Sequence, residues 1–400
     1  MMPKKKIRSY LINLAAAAFV FIVVYLALQL GWINSYYRSI LILICINSIM
    51  TISLNLATGL LGELCLGHAG FMAVGAYTTA LISLNSGLPT YVGLTLGILA
   101  GAVTAGIAAV LVGIPALRLR GDYLAIITLA FGQIITILIR SLGFTGGALG
   151  LNGIPLTTDF PLTYWMLIVT MYIVYALIRS RQGRAILAIR EDDIAAEASG
   201  INVTRYKMLA FVISAMLAGV AGALYAHYQG VLTPEKFDYN YSIDFMVMVV
   251  FGGMGSITGS ILAAIVLTIL PQLLYGFSDY RMLLYSILLI ALMIFKPSGL
   301  LGQKELSQRV FQRLGRQLLG KKPQTVPVEA DIPTTVVDED TYLTEQGSGD
   351  SGVGGSSTRG QENLPVSGTP IAEAEGKHQE RLGLDTQGDE PLTRKHKGRR

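Results

Sequence analysis

Between residues 11 and 295 the chain is a succession of apolar stretches, most of them long enough to cross a bilayer, with the charges falling almost entirely between them. A helix rises about 1.5 Å per residue, so some 20 apolar residues cover a hydrocarbon core of roughly 30 Å. Read this way, the spans are residues 11–30, 39–61, 66–84, 91–114, 123–139, 162–178, 208–228, 243–252, 257–275 and 281–295. Only 14% of the 400 residues are charged and 52% are hydrophobic, where a soluble domain carries roughly a quarter charged. These figures exclude a water-soluble globule. They predict an all-α polytopic membrane bundle of about ten transmembrane helices, followed by a hydrophilic tail. The eighth stretch spans only by recruiting the polar residues before it. A broken or re-entrant segment is the alternative, which Gly252, Gly253 and Gly255 permit.

The first stretch follows Lys4, Lys5, Lys6 and Arg8, as a signal peptide would. Its apolar part is longer than a typical signal core and has no clear small-residue cleavage site before Trp32, so an uncleaved anchor is expected. Ten spans place both termini on one side. That side then holds Lys4, Lys5, Lys6, Arg8, Arg118, Arg120, Arg179, Arg181, Arg184, Arg190, Arg205, Lys207, Lys296 and the tail, against Arg38, Arg140, Lys236 and Arg281 opposite. The positive-inside rule makes the first side cytoplasmic. It also accounts for the net charge of +5 without a nucleic-acid partner. The opposite loops carry Asp159, Glu235, Asp238, Asp244 and Asp279, either ordinary solvated acids or contacts for a partner.

Cys45 and Cys65 lie in or beside apolar runs and read as small buried hydrophobes. The four histidines (His68, His227, His378, His396) are too scattered to form a metal site. Few ionisable residues fall inside the spans, whereas ion-coupled carriers usually place them there. Small residues recur every four positions at Gly93, Gly97 and Gly101, at Ala215, Gly219 and Ala223, and at Gly255, Gly259 and Ala263, the pattern of closely packed membrane helices. Gly62, Gly67, His68 and Gly70 lie between the second and third spans, and a second glycine-rich stretch, residues 145–155, forms most of the longest loop opposite. Glycines there, and at Gly252, Gly253 and Gly255, are read either as tight turns or as backbone lining a translocation path.

The longest polar connection before the tail is residues 179–207, RSRQGRAILAIREDDIAAEASGINVTRYK. Its alanines, and Ile186, Ile189, Ile194 and Ala198 at approximate helical spacing, predict one short amphipathic helix over 183–199 with Gly200 as its C-terminal cap. Four acids, Glu191, Asp192, Asp193 and Glu197, disfavour a helix lying on anionic headgroups and favour docking of a soluble protein.

Residues 190–203 (REDDIAAEASGINV) with 209–225 (LAFVISAMLAGVAGALY) resemble the cytoplasmic loop and following helix of LivM-type permeases, membrane subunits of branched-chain amino acid ABC importers. Residues 53–59 (SLNLATG), 66–77 (LGHAGFMAVGAY), 117–126 (LRLRGDYLAI), 146–155, 251–256 (FGGMGS) and 296–302 (KPSGLLG) agree in the expected order. The resemblance covers about residues 10–302. It implies a permease in the bacterial cytoplasmic membrane that imports branched-chain amino acids, working with a second, homologous permease, two cytoplasmic ATPases that bind the ATP, and an external solute-binding protein. Urea, short amides or another small solute remain alternative cargoes, and an ion-coupled secondary carrier is the alternative class of protein. The resemblance places the ATPase contact on Arg190–Gly200: Ala195, Ala196 and Ala198 let the helix sit in a cleft, while Glu191, Asp192, Asp193 and Glu197 supply complementary charge.

The domain reading is thus a permease domain over 1–302, a basic amphipathic segment over 303–322 that rests on membrane lipids, and a disordered cytoplasmic tail over 323–400. Residues 315–322 (GRQLLGKK) approach a P-loop, but Lys322 stands where Ser or Thr is needed, and no ATP site or enzyme activity is expected of this chain.

Overall fold

A computed structural model describes residues 4–31, 34–119 and 121–274, with scattered positions between 280 and 300. The expected tenth span lies largely outside the described residues, and the segments 303–322 and 323–400 lie wholly outside them. The described part is helical throughout, apart from short turns and one two-stranded ribbon. Its helices are α1 (Lys4–Gln29), α2 (Ser35–Asn55), α3 (His68–Asn85), α4 (Thr90–Ala116), α5 (Asp122–Ser141), α6 (Phe160–Arg179), α7 (Arg181–Glu191), α8 (Asp193–Ala198), α9 (Val203–Gln229), α10 (Tyr239–Gly252) and α11 (Ile257–Leu273). Five are long and apolar enough to cross a membrane: α2 with the π-turn that extends it to Leu60, α4, α5, α6 and α9. The chain is a polytopic membrane bundle.

α2 runs through the middle, every residue from 44 to 61 buried, with α6, α9, α10 and α11 around it. α3, α4 and α9 form the tightest assembly, and two of the small-residue stripes explain it. A Cβ on Gly75 of α3 would stand 2.3 Å from the Gly219 carbonyl oxygen of α9; one on Gly219 would stand 2.6 Å from the Gly101 carbonyl oxygen of α4. One on Gly222 would stand 2.0 Å from the Met72 carbonyl oxygen. Such approach is available only without side chains, and it supplies the packing that drives helix association in lipid. The third stripe is split: Gly259 abuts the Gly252 backbone, while Gly255 belongs to the turn before α11.

The eighth span is one helix that ends at a glycine turn. α10 starts four residues earlier than expected, recruiting Tyr239 to Ser242. Its 14 residues rise only about 21 Å. Gly253 (φ +101°) and Gly255 (φ +91°) then turn the chain into α11.

Helix ends gather at two sites. At one end the ribbon pairs β1 (Leu151–Asn152) antiparallel with β2 (Val231–Leu232). Nearby, the Tyr77 hydroxyl donates to the Leu232 carbonyl at 3.2 Å and the Thr136 hydroxyl to the Phe237 carbonyl at 3.0 Å. The acids of these loops serve the chain itself. Asp159 pairs with Arg38 at 2.6 Å and Glu235 with Arg140 at 3.5 Å, and Asp238 caps α10 by accepting the Tyr241 N–H. Asp244 lies within α10 rather than in a loop, and Asp279 is outside the described residues. The other end carries α7, α8 and most of the arginines.

Candidate coupling site at the arginine-rich end

The polar connection after α6 folds as two helices, not as the single helix expected over 183–199. Ser180 starts α7 by accepting the Gly183 N–H at 3.0 Å. At Asp192 the backbone is extended (φ −159°, ψ 114°), and its carboxylate accepts the N–H groups of Ile194 and Ala195 at 2.9 and 3.0 Å. Capping is what short acidic side chains do best at a helix start, so Asp192 breaks the helix that the alanines favour. The role expected of Gly200 is realised: at φ +83° it closes α8 in a Schellman turn, its N–H bonded to the Glu197 carbonyl and that of Ile201 to the Ala196 carbonyl.

The break rotates the faces of this elbow. Ile186, Ile189 and Ala196 turn inward onto Leu61 and Ala210, with Ile201, Val203 and Tyr206 beside them. Ile194, expected to share one apolar face with Ile186 and Ile189, is instead 65% exposed. Ala196 is therefore taken up by the chain's own packing. Ala195, Ala198 and Gly200 point outward with Glu191, Asp192 and Glu197. The outer surface is thus a small apolar knob of Ile194, Ala195 and Ala198 flanked by three carboxylates.

Asp193 and Arg190 face the other way. Lys207 of α9 is buried and holds Glu63 Oε1 at 2.5 Å and Asp193 Oδ2 at 3.6 Å. Arg190 lies over two glycine turns at once: a Cβ on Gly62 (φ +87°) would stand 3.2 Å from Arg190 Cγ, and one on Gly255 would stand 3.0 Å from Arg190 Nη1. The elbow and the turns at Gly62 and Gly255, separate in the sequence, therefore form one site. A cavity of about 420 Å³ opens there, lined among others by Gly62, Glu63, Arg190, Asp193 and Lys207.

The remaining glycines serve contacts between backbones. A Cβ on Gly67 would stand 2.0 Å from the Thr128 carbonyl oxygen, one on Gly70 3.0 Å from Gly132 Cα, and one on Gly252 2.6 Å from the Gly259 carbonyl. Gly62, Gly253 and Gly255 are turns with positive φ. His68 is buried at the start of α3, its Nε2 2.8 Å from Ser53 Oγ.

Three residues of the site escape the sequence reading. Glu63 shows only as a charge at a span boundary and Lys207 as one more loop cation, since no local pattern reveals that they meet. Asn55 looks like an isolated polar residue in an apolar run. Its carboxamide accepts the Gly255 N–H at 2.8 Å and donates to the Ser256 carbonyl at 3.0 Å and to Ser260 Oγ at 2.9 Å, pinning the end of α2 to the α10–α11 turn. The π-turn at Leu56–Leu60 begins one residue later. Such turns recur at functional sites.

Residues 36–296 match the family described as branched-chain amino acid transport system / permease component. The chain is 39% identical over 288 residues to the high-affinity branched-chain amino acid transport system permease protein LivM of Salmonella typhimurium, covering 63% of this chain and 67% of the relative. It is 38% identical over 320 residues to LivM of Escherichia coli, covering 70% and 74%. LivH of Escherichia coli, a permease protein of the same kind of system, is 35% identical over 145 residues, 36% of this chain and 46% of the relative. No solved structure gives a significant match.

Proposed function

The chain belongs to the family of permease components of branched-chain amino acid transport systems, and from that membership we propose that it moves leucine, isoleucine and valine inward as one membrane subunit of an ABC importer. A second, LivH-like permease completes the membrane part. The cargo arrives on an external solute-binding protein, with which most of the selectivity rests. Two separate ATPase subunits bind and hydrolyse the ATP, and this chain contributes no catalysis.

The outward face of the elbow carries this reading. Ile194, Ala195 and Ala198 are exposed on a helix end that projects from the bundle, and Glu191, Asp192 and Glu197 surround them. An apolar knob ringed by acids suits a cleft with basic walls in a soluble partner and is poorly suited to lipid headgroups. The orientation follows: the arginine-rich end is cytoplasmic and the ribbon end external. The cation distribution supports this, because the cations described at the ribbon end are all engaged within the chain, Arg38 by Asp159, Arg140 by Glu235 and Lys236 over the Tyr241 ring.

The test is purification of the tagged chain co-expressed with its neighbouring transport subunits, then uptake of radiolabelled leucine by the purified assembly in vesicles. The reading predicts an ATPase pair and a second permease in the purified complex, and leucine uptake that needs both ATP and the binding protein. A chain that purifies alone and moves solute without ATP contradicts it.

A further inference from the structure

Resting on that reading, we propose that the Glu63–Lys207 ion pair is a positioning element that carries displacement of the elbow into the end of α2 and so couples ATP hydrolysis to transport. The two side chains come from different elements, the 61–67 connection and the second turn of α9, and both are largely buried, with 13% and 8% of their surface exposed. Lys207 holds its two carboxylates unequally. Glu63 is held at 2.5 Å, whereas Asp193 of α8 stands at 3.6 Å and is 26% exposed. Lys207 thus stands between the elbow and the 61–67 connection, its closer hold on Glu63, beside a cavity of about 420 Å³.

From Glu63 the connection continues through the backbone. The Glu63 N–H bonds to the Ala57 carbonyl at 3.1 Å, within the π-turn. Two residues before that carbonyl, Asn55 clamps the α10–α11 turn through two hydrogen bonds and the first turn of α11 through a third, to Ser260. Arg190, against both Gly62 and Gly255, ties the elbow to the same two turns. Burying an ion pair gives little net stability compared with an apolar pair of similar shape, so a static joint at this place has no need of charge. A joint that must hold one register and then yield does.

The experiment uses the full assembly in vesicles and reads three quantities: subunit stoichiometry, ATPase rate and leucine uptake. Glu63→Gln with Lys207→Met removes both charges together, so neither is left buried without a partner. The proposal expects this double variant to assemble and hydrolyse ATP, while the leucine moved per ATP falls about tenfold, a usual size for coupling between sites. A swapped triad, Glu63→Lys with Lys207→Glu and Asp193→Asn, restores the ratio to within about threefold of wild type. A double variant with the wild-type ratio overturns the proposal. So does one that fails to assemble, which makes the pair structural, and so does a swapped triad that remains uncoupled. A wild-type assembly with no ATP-dependent uptake is a distinct result and rejects the importer reading itself.

Discussion

Where α3, α4 and α9 meet, Gly75, Gly101, Gly219 and Gly222 bring three backbones within reach of one another, and a single added carbon would strike a carbonyl. At the elbow the contacts are a lysine between two carboxylates, an arginine laid over two turns and an apolar cushion, beside an open cavity. The first region has one arrangement, because dense interiors do not deform by degrees. The second is joined by interactions that can be exchanged. An importer needs both: a rigid body that moves as a unit, and a handle by which an external force reaches it.

The contrast is broken most directly by filling the rigid region. Gly222→Val sets a branched side chain against the Met72 carbonyl and is expected to cost about 3 kcal/mol or more, seen as loss of monodisperse protein in detergent. A well-folded Gly222→Val variant would show that the core yields after all. Next in size is Asn55→Ala, which removes two hydrogen bonds to the α10–α11 turn and one to Ser260 of α11. It should lower the unfolding midpoint through a loss of about 2 kcal/mol and reduce transport more than assembly.

At the elbow, charge and capping separate. Asp192→Ala removes the cap of α8 at about 1 kcal/mol, whereas Asp192→Asn keeps a capping oxygen and removes only the charge. Paired with Glu191→Gln, the asparagine variant should weaken ATPase binding in a pull-down without lowering thermal stability. If Asp192→Ala alone weakens binding, the shape of the elbow matters and its charge does not. The smallest effect is expected at the ribbon end. Arg38 and Asp159 are each half exposed, and Arg38→Ala should change stability by less than about 1 kcal/mol and leave uptake unaltered.

The bundle was legible in the sequence because lipid imposes a length and an apolar composition on each span, and because two of the small-residue stripes lie on helices that do pack together. The elbow was legible as a place but not as a shape. Alanine propensity favoured one helix, and a single side chain, Asp192, won locally by offering its carboxylate to two N–H groups. That one break moved Ile194 outward and Ala196 inward, exchanging positions that an unbroken helix assigns the other way. The joint itself was hidden. Asn55 and Gly255 are 200 residues apart, and Glu63 and Lys207 lie in stretches whose charges look ordinary, so only the folded chain brings them together.

In the working importer the elbow moves against a core that does not. Pulsed electron–electron distances in the assembled importer test it, with spin labels at Glu197 and Leu111 across the elbow and α4, and at Gln229 and Tyr91 across α9 and α4. All four positions are exposed, and Cys45 and Cys65 are buried. ATP should shift the first distance and leave the second unchanged. An elbow distance indifferent to ATP, or a core distance that moves with it, would show that the elbow is not a handle moving against a fixed core.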